Sequence, residues 1–454
     1  MQSDTTHAIN HSGLKQHPEV LAENARQIVR SLGYTQTPAD HAFGFDYEHN
    51  EYRFWYRKSP EPLVVYEQIE APNRWVASLG LVSSFRPPWR IPGEIGLRLT
   101  PTGELVYFCA IPEASTNAST PATIAWSAWF PKSLVGMDLR ELQPMTQGEL
   151  PTPDASDQVW LGKGRRPNTT NEIYVEAAGY RGKPVYFEVL RSSSRGPVND
   201  PMLPPRTISA AHILNYVVSN LVLAVACVLA WRNFRSGHID RRGSVRLFLF
   251  VFCVLLITYV FMAQHLFAYA VVHMAVGQAA QRALFLAVIY AAMVPYVRRL
   301  YPETLSAWAR LLEGRWKDAL VGRDLLIGML LAVIFELLRQ WEVLLPQVFG
   351  LAPQPLIRSS RSALASLSTL AGWTVFETQQ AIGDALYDLM TLLLLRIALR
   401  KRTLASVFFV ILMTVWRTLE GAHPILGWGL WLAIYSLRLS RASISGARLE
   451  PASV

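Results

Sequence analysis

From residue 210 to residue 440 the chain offers about seven apolar runs, near 210–231, 247–269, 276–297, 324–345, 376–399, 403–420 and 424–440. Each approaches the ~20 residues that a helix needs to cross a ~30 Å hydrocarbon core. In lipid, each segment must satisfy its own backbone polar groups, so runs of this length predict a polytopic all-α bundle.

The turns between the runs alternate in charge. Arg232, Arg235, Arg241, Arg242 and Arg246 fill one, and Arg396, Arg400, Lys401 and Arg402 another. Arg438, Arg441 and Arg448 close the series, whereas the opposite turns hold only Arg358 and Arg361. Such a bias fixes the threading: the carboxyl terminus lies in the cytoplasm and residues 1–207 lie outside it. A sequence pI near 9.5 would suit nucleic acid. Yet residues 1–209 carry 20 Lys and Arg against 22 Asp and Glu, and the remainder 23 against 12. The excess belongs to loops between apolar spans, so lipid is the expected partner and nucleic acid is excluded.

The most basic connector, Pro295 to Leu325, carries Arg298, Arg299, Arg310, Arg315, Lys317 and Arg323. Leu305, Trp308, Leu311, Leu312, Trp316 and Leu320 recur in it at helical spacing. The pattern predicts a helix in the interface plane, with tryptophan among the headgroups and arginine on anionic lipid phosphate. The same surface would serve a docking kinase or other cytoplasmic partner.

The first half reads as α+β. Residues 1–17 are polar, with no apolar stretch suited to a secretory signal. Either the first span carries the amino-terminal half across, or a further span precedes this chain. Pro18 opens a helix whose face is Leu21, Ala25, Ile28, Val29 and Leu32, and Gly33 closes it. Residues 94–99 and 104–111 alternate about the turn TPTG and predict a hairpin. WSAWF (126–130) followed by EIYVEAAGYRGKPVYFEVL (172–190) repeats the order, short helix then hairpin. The expectation is two helix-plus-hairpin units, 18–115 and 116–191, each sheet under its own helix and similar in outline to PepSY-like domains. A linker (192–209), the membrane domain (210–440) and a tail (441–454) follow.

FWYRKSP (54–60), RPPWRIPGEIGLRLTPTGELVYFCAIP (86–112), VEAAGYRGKPVYFEVL (175–190) and RNFRSGHIDRRGSVRL (232–247) carry a resemblance. Over residues 18–420 the chain is similar to the region downstream of the catalytic domain in large bacterial membrane-bound serine/threonine kinases of the Acidobacteria type. The resemblance implies an extracytoplasmic module followed by a multi-span tail in the bacterial inner membrane. This chain has no Gly-rich loop with a V-A-I-K-type lysine, no H-R-D-type loop and no D-F-G, so kinase activity transfers to none of its residues. No cofactor is implied.

One constellation inside the runs bears on chemistry. Glu377, Asp384 and Asp388 are 7 and 11 residues apart, which sets them within about 20° of one line on a helix. Glu336 and Arg339 lie on the preceding run at comparable depth. Carboxylates in hydrocarbon must face protein or water, so the stripe reads as a proton or cation path. The competing reading is a structural ion pair of Arg339 with Glu377 or Asp384. His265 and His273, eight residues apart without an acidic or thiol neighbour, make a poor metal site and read as interfacial packing.

Overall fold

A computed structural model describes residues 16–48, 51–65, 81–84, 86–113, 125–144, 158–165, 172–191, 210–263, 265, 269–300, 310–311, 313–315, 317–348 and 365–419. It contains an amino-terminal antiparallel sheet domain followed by long helices.

Helix α1 (Pro18–Ser31) begins with proline in its first turn, where the missing amide costs nothing, and ends at Gly33 with φ of 85°. Strands β1 (Asp40–Glu48), β2 (Glu51–Ser59), β3 (Ile95–Leu99) and β4 (Leu105–Ala110) form one antiparallel meander. Two short helices, α2 (Trp126–Trp129) and α3 (Lys132–Val135), and a 3-10 turn at Leu139–Glu141 lead into the second. It comprises β5 (Gln143–Pro144), β6 (Gln158–Arg165), β7 (Glu172–Tyr180) and β8 (Lys183–Arg191). The expected hairpins at 94–111 and 172–190 are present as β3–β4 and β7–β8.

The two halves do not form separate sheets. Their last strands pair antiparallel, Phe108 opposite Phe187, giving one eight-stranded sheet of order β1-β2-β3-β4-β8-β7-β6-β5. The physical reason is the β4 sequence, LVYFCA, which is buried on both faces and would be an exposed apolar edge if left unpaired. Leu21, Ala25, Ile28 and Val29 of α1 share one core with Phe54, Leu97, Phe108, Phe130, Leu139, Val175 and Phe187. Burying each large member of this set contributes roughly 1.5–3 kcal/mol, so α1 and the α2–α3 segment together roof a single layer.

The other face mixes buried polar groups, Arg53, Arg57, Arg98 and Glu176, with apolar clusters about Trp55 and about Tyr107 and Tyr186, and the described residues 60–65 and 81–84 form a strap against it. Gly96 leaves room for Trp89, whose ring atom Cη2 lies 2.1 Å from where a β-carbon would sit. Arg57 stacks on that ring at 4.6 Å and donates to the carbonyls of Ser83 (3.2 Å) and Pro87 (2.9 Å).

The helices follow as α4 (Ala210–Arg235), α5 (Arg241–Met262), α6 (Tyr269–Leu300), α7 (Ala319–Val348), α8 (Leu367–Leu399) and α9 (Arg402–Leu419). Among the described residues three are long and apolar enough to cross a membrane: Val217–Arg235, Arg241–Met262 and Val271–Arg299. The expected run at 424–440 lies outside the described residues. Leu247, Val251 and Leu255 of α5 pack against Ala283, Leu286 and Met293 of α6 and against Phe376, Leu386 and Met390 of α8.

Helix α6 continues through Pro295. Proline lacks an amide hydrogen, which orphans the Ala291 carbonyl four residues back. Asn233, buried near the end of α4, donates its side-chain amide to Ala291 O (3.1 Å) and to Ala292 O (2.9 Å). The side chain restores the partner that the backbone cannot supply.

Candidate functional site

Among the described residues the basic connector is not one continuous helix. Pro295–Leu300 belongs to α6, Gly314 turns the chain at φ 83°, and α7 starts at Ala319. Asp318 organises this start: it accepts from Leu320 N (2.9 Å) and binds Arg310 through both carboxylate oxygens (2.9 and 2.8 Å). The Leu320 amide, then Arg310 and Arg315, hold its carboxyl below the usual range. Trp308 and Trp316 lie outside the described residues. Of the cations, Arg298 pairs with Asp240 (3.0 Å), Arg315 with Glu313 (3.4 Å) and Arg323 with Asp324 (3.0 Å), while Arg299 and Lys317 are exposed. Acidic partners therefore temper the charge that a count of arginines suggests.

At this same end, Asp240 caps α5 by accepting from Gly243 N (2.9 Å), and it also receives the Tyr290 hydroxyl (3.3 Å). The turn between α4 and α5 is thereby tied to the end of α6.

The sheet domain meets the opposite end of these helices. His265, between α5 and α6, brings Nε2 to 2.8 Å from Asp40 Oδ2 at the start of β1. Asp40 also accepts from Leu63 N (2.7 Å), which fixes the strap. Leu63, Val65 and Val82 of the strap pack on Ala42 and Trp55 of the sheet. Val64 packs on Tyr259, Val271 and Ala275, and Leu81 on the main helical core. His265 thus stands at ion-pair distance from a carboxylate far away in sequence, without the geometry of a hydrogen bond, an approach no local pattern signals.

The acidic stripe is split by the packing. Trp373, Phe376, Leu386 and Met390 turn α8 towards α5 and α6, so Glu377 and Asp384 are exposed and Asp388 is half-buried. Thr374 and Thr378, exposed on the same helix, return their hydroxyls to the carbonyls of Leu370 and Thr374 (2.9 Å each). Gly372 lets α8 approach α5 closely, since a β-carbon there would stand 2.5 Å from Met262 Cγ.

Asp384 accepts from Gln380 (3.0 Å) and interacts electrostatically with Arg282 of α6. Arg282 Nη2 and Gln379 Nε2 lie 3.2 and 3.6 Å from the position a β-carbon on Gly383 would take. Arg282, one of the arginines inside an apolar run, is the cation brought to this stripe. The expected partner Arg339 and its neighbour Glu336 lie on α7, and their side chains fall outside the described residues. The apolar side chains Leu326, Met329, Leu330 and Val333 of α7 are exposed. Among the described residues no group of three or more His, Cys, Asp and Glu is placed to hold a metal.

No family model, no curated protein and no solved structure matches this chain.

Proposed function

We propose that the chain is a non-catalytic regulatory module of the bacterial inner membrane, related to the membrane region of serine/threonine kinases. Its sheet domain lies outside the cell and senses a ligand there, and a helical bundle of about seven crossings carries the state to a cytoplasmic surface. The observation that carries this reading is the Asp40–His265 contact, which ties the first sheet strand and the strap to the α5–α6 connection. At the far, arginine-rich end Asn233 ties α4 to α6, and Asp240 with Arg298 ties the start of α5 to the end of α6. A displacement of the sheet domain then has rigid elements through which to reach the other surface, provided the bundle has two packings that the ligand weighs differently. The distribution of arginines supports the threading with the sheet domain outside. The two four-stranded meanders support descent of the sheet from a duplicated unit.

Hydrogen exchange on the full chain in nanodiscs tests the coupling. Substituting His265→Ala should raise exchange at the strap and also at 236–244, on the far side. A change confined to the strap and the α5–α6 connection defeats the regulatory reading.

A second reading, an ion- or proton-coupled transporter using the acidic stripe of α8, is favoured by the polar cluster of Arg282, Gln379 and Asp384 between otherwise apolar helices. Asp384→Asn abolishes flux into proteoliposomes if that reading holds, whereas a regulator has no flux to lose.

A further inference from the structure

The arginines at the far end of the bundle are not equivalent. Arg298, Arg310, Arg315 and Arg323 each stand 2.8 to 3.4 Å from a carboxylate. Arg232, Arg235, Arg241 and Arg242, at the junction of α4 and α5, are all exposed. Among the described residues none of these four has an ion pair. Asp240 is the one acid between residues 232 and 246, and Gly243 N, the Tyr290 hydroxyl and Arg298 already occupy it. Uncompensated positive charge therefore gathers on this junction, where the start of α5 adds the positive end of its dipole.

Two of the four guanidiniums are held by aromatic rings. Arg235 lies 4.3 Å over Trp231, and Arg241 lies 4.9 Å over Phe234. Trp231 is 58% and Phe234 53% exposed, so neither ring belongs to a protein core. Stacking fixes the plane of a guanidinium and leaves its edge N–H groups free, the fork that matches two oxygens of a phosphate. An arginine anchored in this way loses less freedom on binding than a mobile one.

The surroundings of the fork identify the source of the phosphate. Val217, Leu221, Val228 and Trp231 recur at helical spacing as an exposed apolar stripe of α4, and the next position on that face is Arg235. On α5, Leu249 and Val260 are exposed on the face that begins at Arg242. Val217–Arg235 and Arg241–Met262 are each long and apolar enough to cross a membrane, so the stripes suit acyl chains and the arginines suit headgroup level. A soluble phosphate or an acidic protein would use the arginines and leave the stripes bare. A choline headgroup would set an ammonium among guanidiniums, which favours an anionic headgroup over a zwitterionic one. We propose that the α4–α5 junction, through Arg235, Arg241 and the rings they stack on, binds the headgroup phosphate of an anionic phospholipid. The site needs α4 and α5 in a bilayer and nothing of the sensing role, so its failure would leave that role standing.

Radiolabelled phosphatidylglycerol tests it, retained on the immobilised full chain in zwitterionic detergent with phosphatidylcholine in excess. Saturable retention is expected, and inorganic phosphate and polyglutamate should displace the lipid poorly because they have no acyl chains to lie on the stripes. Arg235→Gln and Arg241→Gln should each weaken retention by about fivefold, the worth of one arginine at an anionic surface. Arg315→Gln and Arg323→Gln should leave it unchanged, since carboxylates already hold those side chains. All four side chains are exposed, and thermal unfolding confirms that each variant is intact. Retention that phosphatidylcholine abolishes would overturn the proposal, as would full affinity in the folded Arg235→Gln, Arg241→Gln double variant. Displacement by inorganic phosphate would assign the site to a free anion, and displacement by polyglutamate to an acidic protein, and either result overturns it too.

Discussion

Replacing Asn233 with alanine removes the two donors that reach Ala291 O and Ala292 O, and the two carbonyls then differ in fate. Ala292 O keeps the amide of Tyr296 within ordinary helical reach. Ala291 O has none, because residue 295 is proline. Asn233 is 4% exposed, so water does not readily replace it. The expected cost is about 2 kcal/mol, the upper part of the ~1–3 kcal/mol range for a buried group left unsatisfied. Pro295→Ala returns an amide to the ladder, and in that background Asn233→Ala should cost only about 0.5–1 kcal/mol, an ordinary net hydrogen bond. The double-mutant cycle therefore predicts a coupling of about 1 kcal/mol, well above the ~0.3–0.5 kcal/mol scatter of independent sites. Urea unfolding in detergent micelles, followed by tryptophan fluorescence, measures all four proteins. Additive costs would refute the claim that Asn233 substitutes for the missing proline amide.

Three further outcomes follow from other contacts. Arg57 and Glu94 stand 3.6 Å apart, each 2% exposed at the side chain, and burial shifts both: it raises the Glu94 carboxyl and lowers Arg57 to about 10. Because folding raises the Glu94 pKa, the folded state holds that proton more tightly. Stability of the sheet domain should then fall as pH rises from the ordinary carboxylate range through the folded value, and Glu94→Gln should flatten that slope in thermal melts at stepped pH. Exchanging the pair for Met and Leu should leave stability unchanged or improved, whereas Arg57→Met alone should cost about 3–5 kcal/mol. Gly372→Val drives a side chain into Met262 and Phe261 and should cost about 1–3 kcal/mol, read by the same melts, with α8 prised from α5. Asp240→Ala deletes the α5 cap and the Arg298 partner together and should cost about 1–2 kcal/mol, while Asp240→Asn retains most of the cap.

What the sequence made legible was periodic. Helix α1, both hairpins and the helices α4 to α9 follow from apolar spacing and from Pro18 and Gly33. Strand β1 was not legible because Gly44 interrupts its alternation, and that glycine is needed to admit the Trp55 ring, 2.9 Å from its absent β-carbon. Strand β6 hides for a similar reason, with Gly162 and Gly164 against Trp160 and Leu142. The merging of two sheets into one depends on β4 meeting β8, a pairing across some eighty residues that no local pattern encodes. At the polar cluster, the acidic stripe on α8 was legible as 7- and 11-residue spacing, but its partner was not. Charge spacing pointed to Arg339, the nearest cation on the preceding run. The Arg339 side chain lies outside the described residues, and within them Gly383 lets Arg282 of α6 approach the stripe. Glycines that create space for a large neighbour carry no signature except their own smallness.

In the proposed threading the sheet domain and the arginine-rich turns lie on opposite sides of one membrane. In a chain whose three cysteines have been replaced, Thr102→Cys marks the exposed β3–β4 turn and Ser236→Cys the exposed turn after α4. An impermeant maleimide should label the first in right-side-out vesicles and the second only in inside-out vesicles. Labelling of both from one side, or of the second alone in right-side-out vesicles, would contradict it.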